Sequence, residues 1–474
     1  MNKFYITTAI PYVNGKPHIG HALEYFQADT IKQYYQLQGY QTLLLSGADE
    51  NALTNIQAAE KEGIPVKNFL DRNSEIFRLS YEKLGVHLDV FQRGSDHEKH
   101  WPGVQKLWKL CAENGDIYKK SYEGLYCVGH EAFVTEKELV GGLCPDHQKK
   151  PEVVKEENYF FRLSKYQDQL VKLIESNKLK VTPVNKRAET LSFVKSGLED
   201  FSISRSKVRA KGVGVPVPED PDQIIYVWFD ALDIYMTGIG FGIDEQRWEK
   251  WWPADLHVIG KDINRFHTVY WPAILLSAGL PLPKEVLIHS FVTAPGGLKM
   301  SKTLGNVIDP FEVAEKYGIE SLRYYLLSQI PIDTDGEFSR ERFTEVYNAD
   351  LANGLGNLVA RVAKLGENNN LEFNIDLSTI SFNENIKDKL KEYRFNEALE
   401  LIWHQIKEAD KLINEEKPWE LEGEKAKTVL EDLISQIQQI AYNLQPFMPE
   451  TSKKILSQFS GQIKVAPPLF PRIS

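Results

Sequence analysis

Two hydrophobic patterns alternate along the first 290 residues. Short runs of consecutive apolar and β-branched residues occur at 4–8, 42–46, 224–228, 256–260 and 286–289. Such runs are typical of strands that are buried on both faces of a parallel sheet. Between them, apolar residues recur at helical spacing, as in the segment from Leu23 to Ile31. The alternation predicts an α/β fold with a doubly wound parallel sheet, in which all five runs are strands.

The pattern changes twice further along the chain. Short alternating runs with glycine replace the regular pattern after about Gly115, which predicts an insertion that interrupts the sheet. From Arg340 onward the pattern is helical almost throughout, with breaks near 368–370 and 414–418, and this predicts an antiparallel helical bundle. The predicted segments are the two halves of the sheet domain at 1–114 and 223–290, the insertion at 115–222, a linking element at 291–339 with two short helices divided at Gly318, and the bundle at 340–474.

Composition limits the possible classes of protein. With 474 residues, 42% of them hydrophobic, the chain is long enough for several packed domains. No apolar run approaches the ~18 residues of a membrane helix, and no signal-peptide core follows Met1, so we expect a soluble, cytoplasmic protein with no membrane contact. Three cysteines argue against a disulfide framework. The net charge of −10 does not indicate a nucleic-acid binder, although a local basic groove is compatible with it.

The segment His18-Ile19-Gly20-His21 lies where the first predicted strand gives way to a helix. Backbone N–H groups at a helix N-terminus favour phosphate binding, and two histidines three residues apart can donate ring N–H groups to the same anion. Gly20 lacks a Cβ, so a flat base could approach the backbone there. The competing interpretation is two solvated or core histidines at a helix start.

A second candidate is the segment Lys299-Met300-Ser301-Lys302-Thr303, which glycines flank at 296–297 and 305. Two ammonium groups on such a segment suit a reaction in which negative charge develops late, as on the pyrophosphate that leaves in nucleotidyl transfer. Taken alone, the segment could equally be a solvated basic loop.

Together these two motifs resemble the HIGH and KMSKS signatures of class I aminoacyl-tRNA synthetases. Three further segments, at 9–15, 226–231 and 260–263, look like those of the methionyl-tRNA synthetase family, and the resemblance covers nearly the whole chain. It implies a Rossmann-like doubly wound sheet interrupted by a connective insertion and followed by an all-α anticodon-binding bundle. It also implies that ATP with Mg²⁺ activates L-methionine as methionyl-adenylate, and that initiator and elongator tRNA(Met) then take the methionyl group.

The resemblance also implies roles for individual residues. Asp49 would pair with the substrate's α-ammonium group, although a helix-capping carboxylate is the alternative. The aromatic members of the methionine set could simply be core residues. The expected catalytic residues are His18, His21, Lys299 and Lys302. ATP would be bound by His18, Gly20, His21, Gly260, Asp262, Lys299 and Lys302. Methionine would be bound by Ala9, Ile10, Tyr12, Asp49, Trp228, Ala231, Tyr235, Ile263 and His267.

The chain departs from the family pattern at three positions. Asn51 and Ala52 follow Asp49-Glu50 where many relatives have His-Gly, and Leu232 stands where many have proline. These changes put in doubt any role for an imidazole at position 51, and they put in doubt that the loops after Asp49 and Trp228 have the shape found in the family.

Two features of the insertion carry chemistry. The pairs Cys127/His130 and Cys144/His147 have the spacing of a Cys₂His₂ zinc knuckle, which would be either a working structural Zn²⁺ site or an eroding one. Lysine and arginine alternate from Arg205 to Lys211, and an extended run would place these four cations on one side. Such a stripe could guide the acceptor end of a tRNA or be a solvated strand face.

In the predicted bundle, Asn357 and Arg361 share one helix face, and Trp419 is predicted to begin a helix. An amide, a guanidinium and an indole suit unpaired bases, and the resemblance implies that they read the CAU anticodon. The alternative is that these residues only cap a helix and pack at the end of the bundle. Because the sequence ends soon after the bundle, we expect a monomer.

Three rival functions fit the sequence less well. Other class I synthetases have larger editing insertions, or a zinc-binding cysteine near the first motif. A nucleotidyltransferase that never meets tRNA would not need the helical segment. A catalytically silent tRNA-binding paralogue would not need His18, His21, Lys299 and Lys302.

Overall fold

The structure, a computed structural model, describes residues 2–127, 132–134, 136, 139–145, 148–298, 300, 307–374 and 380–473. The chain divides into two compact units. The first unit contains residues 1–17 and 40–289, and the second contains residues 18–39 and 290–474. Within the described ranges, no helix is both long and apolar enough to cross a membrane.

Strands and helices alternate through the first unit, whereas helices dominate the second. The strands are β1 Lys3–Thr8, β2 Gln41–Ala48, β3 Val90–Arg93, β4 Ile117–Cys127, β5 Ala132–Val134, β6 Glu152–Phe161, β7 Lys180–Thr182, β8 Phe201–Ser202, β9 Ser204–Ser206, β10 Pro216–Val217, β11 Asp220–Ile225, β12 Leu256–Gly260, β13 Glu285–His289, β14 Val292–Thr293, β15 Gly336–Glu337, β16 Glu372–Phe373 and β17 Gly461–Gln462. The α-helices are α1 Ile19–Leu37, α2 Leu53–Glu62, α3 Val66–Lys83, α4 Trp101–Glu113, α5 Gln167–Glu175, α6 Val184–Lys195, α7 Val227–Thr237, α8 Glu245–Trp251, α9 Trp271–Ser277, α10 Pro310–Tyr317, α11 Ile319–Gln329, α12 Arg340–Val346, α13 Asn357–Asn368, α14 Glu384–Lys391, α15 Phe395–Glu416, α16 Gly423–Leu444 and α17 Pro449–Gln458.

A six-stranded parallel sheet forms the centre of the first unit, in the order β3-β2-β1-β12-β13-β7. Every residue of β12 is buried, which explains its continuous apolar run. The chain builds outward from β1 to β3 and later returns to the other side of β1 with β12, so the order reverses between β1 and β12. Ligands of doubly wound sheets bind at the carboxyl ends of strands at such a reversal. The predicted doubly wound sheet is confirmed.

One predicted sheet strand is wrong. The apolar run at 224–228 is divided between β11 and the first turn of α7, and β11 pairs antiparallel with β9 and β10 in a separate three-stranded sheet. The run is buried in both arrangements, so its composition does not choose between them. Conversely, β7 lies within the range 115–222 and forms an edge of the parallel sheet.

The rest of the insertion contains a four-stranded antiparallel sheet, in the order β5-β4-β6-β8. The predicted extended run of cations is wrong, because only Arg205 lies in a strand and the chain turns from 207 onward. Arg205 is buried, and the Arg209 guanidinium lies 4.1 Å from the centre of the Tyr126 ring. The Nζ atom of Lys211 pairs with Glu60 at 2.5 Å. The four cations therefore do not form one stripe.

The second unit joins α1 to the helices that follow residue 290. Arg323 on α11 is 2% exposed, and its guanidinium donates to Asp29 Oδ2 at 2.5 Å and to Thr30 Oγ1 at 3.0 Å, both on α1. The same guanidinium donates to the Pro446 carbonyl before α17 at 2.8 Å. One buried cation thus links three helical segments of this unit. The two short helices divided at Gly318 and the helical region after Arg340 are confirmed.

Candidate active site

The two histidines of the first motif cap the start of α1. His18 is the N-cap residue, and its Nδ1 accepts from the Gly20 backbone N–H at 3.1 Å. His21 Nδ1 accepts from the His18 N–H at 3.1 Å, and the ring centres lie 3.9 Å apart. In the neutral tautomer the proton of each ring is therefore on Nε2, where it can be donated to an anion. The imidazoles therefore occupy the N–H groups of His18 and Gly20, so these two are not among the backbone N–H groups that the sequence predicts for an anion.

Gly20 lies close to the His18 ring of this cap. A Cβ at position 20 would lie 3.0 Å from Cε1 and 3.1 Å from Nδ1 of the His18 ring. These distances are tighter than ordinary van der Waals contact, so a side chain would displace the imidazole. Local packing against His18 is therefore one reason for glycine here, and the sequence did not indicate it.

The aromatic members of the predicted methionine set meet in the first unit. Tyr12 and Trp228 make an edge-to-face contact with ring centres 6.1 Å apart. Trp228 stacks on Phe266 at 3.8 Å with 8° between the ring planes. Ile10 and Trp228 belong to one hydrophobic cluster, against which Ile263 packs. Sequence reasoning missed Phe266, since an aromatic residue in a helical pattern is usually a core residue.

Tyr235 and His267 form a defined polar pair at the edge of this cluster. His267 Nδ1 lies 3.0 Å from the Ile263 carbonyl oxygen, which can only accept, so Nδ1 carries the proton. Nε2 then accepts from the Tyr235 hydroxyl at 2.8 Å. Burial lowers the pKa of His267 to about 4, so the ring is neutral near pH 7. A neutral ring beside a tyrosine suits an uncharged, polarizable side chain such as a thioether.

Acid should destabilise the protein between about pH 6.5 and pH 4. Burial lowers the pKa of His267 to about 4 and that of the neighbouring His257 well below its ordinary value. As pH falls, the unfolded chain therefore takes up these protons first, and for His267 alone the loss of folding free energy is about 3 kcal/mol. Urea unfolding of wild type and His267→Gln across this range measures the effect. In the variant, the free energy of unfolding should depend less steeply on pH, by an amount that corresponds to almost one proton. Identical slopes in the two proteins would contradict a neutral, buried His267.

Asp49 follows β2 directly and is 2% exposed. Its backbone N–H donates to the Pro11 carbonyl at 3.0 Å, and it forms an isolated parallel bridge with Tyr12. The Asn55 amide donates to the Asp49 carbonyl at 2.8 Å. These bonds fix the backbone of Asp49 beside Tyr12, at the carboxyl end of the central strands. The Asp49 side chain is not the N-cap of α2, since Ala52 occupies that position.

The departure at position 51 is part of a buried network. Asn51 Nδ2 donates to Asp230 Oδ2 at 2.6 Å and to the Gly94 carbonyl at 3.0 Å. The other oxygen of Asp230 lies 2.5 Å from His100 Nε2, and His100 Nδ1 lies 2.7 Å from Thr237 Oγ1. The network connects the loop after β2 to α7, which carries Trp228 and Ala231. Sequence reasoning missed this set, because its members are up to 186 residues apart and no local pattern joins them.

The other two departures are packing positions. Ala52 is fully buried and Leu232 is 2% exposed, and both belong to the same hydrophobic cluster as Trp228. Both side chains are therefore held by apolar contacts, and Leu232 lies inside α7 rather than in a loop.

Gly260 and Asp262 lie where β12 ends. Gly260 is the last residue of the strand and pairs with His289 of β13. Asp262 is exposed in the 3₁₀ turn Lys261–Ile263 that follows. Ala9 packs against the cluster under β12 and β13, and Ala231 is buried in α7. Gly260 and Asp262 thus lie at the edge of the sheet where a nucleotide is expected.

The three residues that the resemblance implies read the anticodon lie in the second unit. Asn357 is exposed at the start of α13, and Arg361 is half-buried one turn later. The Arg361 guanidinium lies 6.0 Å from the centre of the Trp419 ring, and it donates to Asp410 at 2.7 Å and Asn414 at 2.9 Å. Trp419 is 50% exposed. The prediction that Trp419 begins a helix is wrong, because α16 begins at Gly423 and Trp419 lies in the preceding turn.

Several predicted residues lie outside the described part of the chain. They are Lys299, Lys302, His130 and His147. Of the proposed metal ligands, Cys127 at the end of β4 and Cys144 are buried and are not in a disulfide. Within the described residues no group of three or more potential ligands comes together, as expected when two of four lie outside them.

Comparison with known proteins gives consistent matches. The family model described as tRNA synthetases class I (M) matches residues 4–150 and 147–363. The methionine–tRNA ligase of Clostridium acetobutylicum is 42% identical over 97% of this chain and 74% of its own length. That of Brucella suis is 41% identical over 96% of this chain and 91% of its own length. The structure of Mycobacterium tuberculosis methionyl-tRNA synthetase in complex with methionyl-adenylate is 36% identical, has a TM-score of 0.92 and covers all of both chains.

Proposed function

The chain belongs to the methionine-type class I tRNA synthetases, and from this membership and its residues we propose that it attaches L-methionine to tRNA(Met) using ATP. The methionine carboxylate attacks the α-phosphate of ATP, which gives methionyl-adenylate and releases pyrophosphate. The 3′-terminal hydroxyl of the tRNA then attacks the acyl carbon, and AMP leaves. The observation that carries this proposal is the aromatic cluster around Trp228 with the neutral Tyr235–His267 pair, at the strand ends where the sheet order reverses.

We propose the following division of roles. Methionine is bound by the set around Trp228, with its ammonium group on Asp49. The phosphates of ATP, which enters as its Mg²⁺ complex, are bound by the Nε2–H groups of His18 and His21 and by Lys299 and Lys302. Asp262 accepts from the ribose hydroxyls. Most of the rate enhancement then comes from positioning and from charge stabilisation.

Methionine-dependent exchange of pyrophosphate into ATP tests this function, together with charging of tRNA(Met). We expect exchange with methionine and none with leucine, and we expect charging of both initiator and elongator tRNA(Met) in the cytoplasm. Absence of methionine-dependent exchange in a folded, tRNA-binding protein would identify a silent paralogue instead.

We propose that the anticodon is read by Asn357, Arg361 and Trp419. Asp410 and Asn414 hold the Arg361 guanidinium near the Trp419 ring, of which half is exposed. Stacking of a base on an aromatic side chain contributes about 1–3 kcal/mol. Trp419→Ala should therefore reduce kcat/KM for tRNA about 10- to 100-fold and leave pyrophosphate exchange within about twofold of wild type.

Trp419→Phe provides the matched control, since it retains a ring that can stack. It should recover most of the charging activity. A parallel fall of exchange and charging in Trp419→Ala would contradict a role in anticodon binding.

We also propose a structural zinc site formed by Cys127, His130, Cys144 and His147. Two buried thiols outside any disulfide fit the chemistry of Zn²⁺, which prefers thiolate and imidazole ligands. The Gln148 N–H donates to the Cys144 carbonyl at 2.8 Å. Bound metal would tie Cys144 to Cys127 at the end of β4, and metal analysis of the purified protein would measure the zinc content.

A further inference from the structure

The carboxylate of Asp230 is buried where two parts of the predicted methionine set meet. It is 1% exposed, and both of its oxygens have partners from outside α7. Oδ2 accepts from Asn51 Nδ2 at 2.6 Å, and Oδ1 lies 2.5 Å from His100 Nε2. A buried carboxylate needs such partners, because it has lost its hydrogen bonds to water. Asp230 is therefore held from two sides.

These contacts hold α7, the helix that carries Ala231 and Tyr235. His100 Nδ1 lies 2.7 Å from the hydroxyl oxygen of Thr237, two turns after Asp230 on the same helix. One imidazole ring, itself 0% exposed, thus contacts α7 at two points, one on each side of Ala231 and Tyr235 along the chain. The helix cannot slide or turn about its axis without breaking one of these contacts.

Asn51 connects the same carboxylate to the loop that carries Asp49. It lies two residues after Asp49, and its Nδ2 also donates to the Gly94 carbonyl at 3.0 Å. The Gly94 N–H in turn donates to the Ala48 carbonyl at 2.9 Å. Both hydrogens of the Asn51 amide are therefore used, one on α7 and one on the segment that follows β3.

The helix also packs directly on β2, the strand that Asp49 follows. A Cβ at Gly47 would lie 2.9 Å from Cγ2 of Ile234 on α7 and 2.2 Å from the Gln92 carbonyl oxygen, so the close approach requires glycine. Apolar contact has no preferred direction, whereas hydrogen bonds are directional. The hydrogen bonds of the Asp230 carboxylate therefore fix where α7 lies along the strand.

We propose that Asn51 is a positioning residue for methionine and sets the length of the amino-acid side chain that the site accepts. The inference rests on the proposed function, in which Asp49 binds the ammonium group while Trp228 and Tyr235 on α7 contact the side chain. Asn51 links these two ends of the site through one buried carboxylate. A side chain one methylene shorter or longer than that of methionine therefore meets a site of fixed length.

The test measures pyrophosphate exchange with methionine, with S-methylcysteine, which is one methylene shorter, and with ethionine, which is one methylene longer. Asn51→Ala removes both amide hydrogen bonds, so kcat/KM for methionine should fall about tenfold, with the KM for ATP within about twofold of wild type. The preference for methionine over either analogue, measured as the ratio of kcat/KM values, should fall about three- to tenfold. This ratio does not depend on the fraction of folded enzyme, so lost stability alone would leave it unchanged.

Three further variants complete the experiment. Asn51→His should recover part of the preference, since a neutral imidazole has one N–H where the amide has two. Thr237→Val removes only the hydroxyl that meets His100 and should lower the preference about twofold, which tests the network even where Asn51→Ala does not fold. Asn443→Ala is the matched control, because Asn443 is a fully buried asparagine in the second unit whose Nδ2 donates to Gln405 at 3.2 Å. It should lower stability and leave the preference at its wild-type value.

An unchanged preference in active Asn51→Ala would overturn the assignment, as would equal rises in the KM values for methionine and ATP. Where Asn51→Ala does not fold, an unchanged preference in Thr237→Val would overturn it. A preference that falls equally in Asn443→Ala would show a general effect of lost stability, and the assignment would again be wrong. Absence of methionine-dependent exchange in the wild type would refute the proposed function itself, so the two failures can be told apart.

Discussion

Asp49→Asn is expected to lower kcat/KM for methionine in pyrophosphate exchange by about 10²- to 10³-fold, with the KM for ATP almost unchanged. The proposed partner of Asp49 is the α-ammonium group of methionine. Asp49 is 2% exposed, and breaking a buried ion pair by removing one charge costs about 3–5 kcal/mol. Asparagine has nearly the same shape, and the bonds that hold this position, from its N–H to Pro11 and from Asn55 to its carbonyl, use the backbone only.

Asp89→Asn is the matched control for this experiment. Asp89 precedes β3 and accepts from the Leu44 N–H at 2.7 Å, so it lies at the amino end of the parallel strands, opposite to Asp49. Its replacement should change stability but not the KM for methionine. An equal rise in the KM values for methionine and ATP in Asp49→Asn would show that the residue supports the fold rather than the ammonium group.

The central part of the sheet could be predicted because burial imposes a pattern on it. The strands β1, β2, β12 and β13 are covered on both faces, so their sequences are continuous apolar or β-branched runs. The edge strands β3 and β7 were missed. They have four and three residues, include Gln92, Arg93 and Lys180, and give no such run.

Strand pairing could not be predicted from the same pattern. The run at 224–228 is as apolar as β12, but β11 pairs antiparallel with Ser204–Ser206 instead of joining the parallel sheet. Pairing depends on which partner the rest of the chain brings alongside, and a local sequence contains no information on that. The prediction of a cation stripe was wrong for a related reason, since the turn after Ser206 separates residues that an extended chain would align.

The candidate site shows the same division between local and non-local information. His18 and His21 were identified by their spacing, but their hydrogen bonds to the backbone depend on side-chain rotamers that spacing does not determine. Asp49 was identified because it follows a strand. The contact of Asn51 with Asp230 and His100 was not, because it joins three distant segments. That contact also explains how the chain tolerates asparagine at this position: its amide supplies an N–H donor to the buried carboxylate.

Lys299→Ala is expected to slow methionyl-adenylate formation about 10²- to 10³-fold and to weaken ATP binding by less than about threefold. Negative charge develops on the leaving pyrophosphate only as the bond to the α-phosphate breaks, so a cation that meets this charge stabilises the transition state more than bound ATP. Lys299 lies outside the described residues and follows a turn at 294–298. Gly296 and Gly297 have φ values of 79° and 70°, and the Ala294 N–H donates to the Leu298 carbonyl at 2.9 Å.

Single-turnover adenylate formation, measured across ATP concentrations, separates the rate of the step from the affinity for ATP. Lys299→Arg, which keeps the charge, should recover part of the rate. Lys364→Ala is the surface control, since Lys364 pairs only with Glu367 among the described residues, at 3.0 Å on an exposed helix face, and should leave both quantities unchanged. Equal losses in rate and ATP affinity would mean that Lys299 binds the triphosphate before reaction, and the proposed stabilisation of the leaving group would then be wrong.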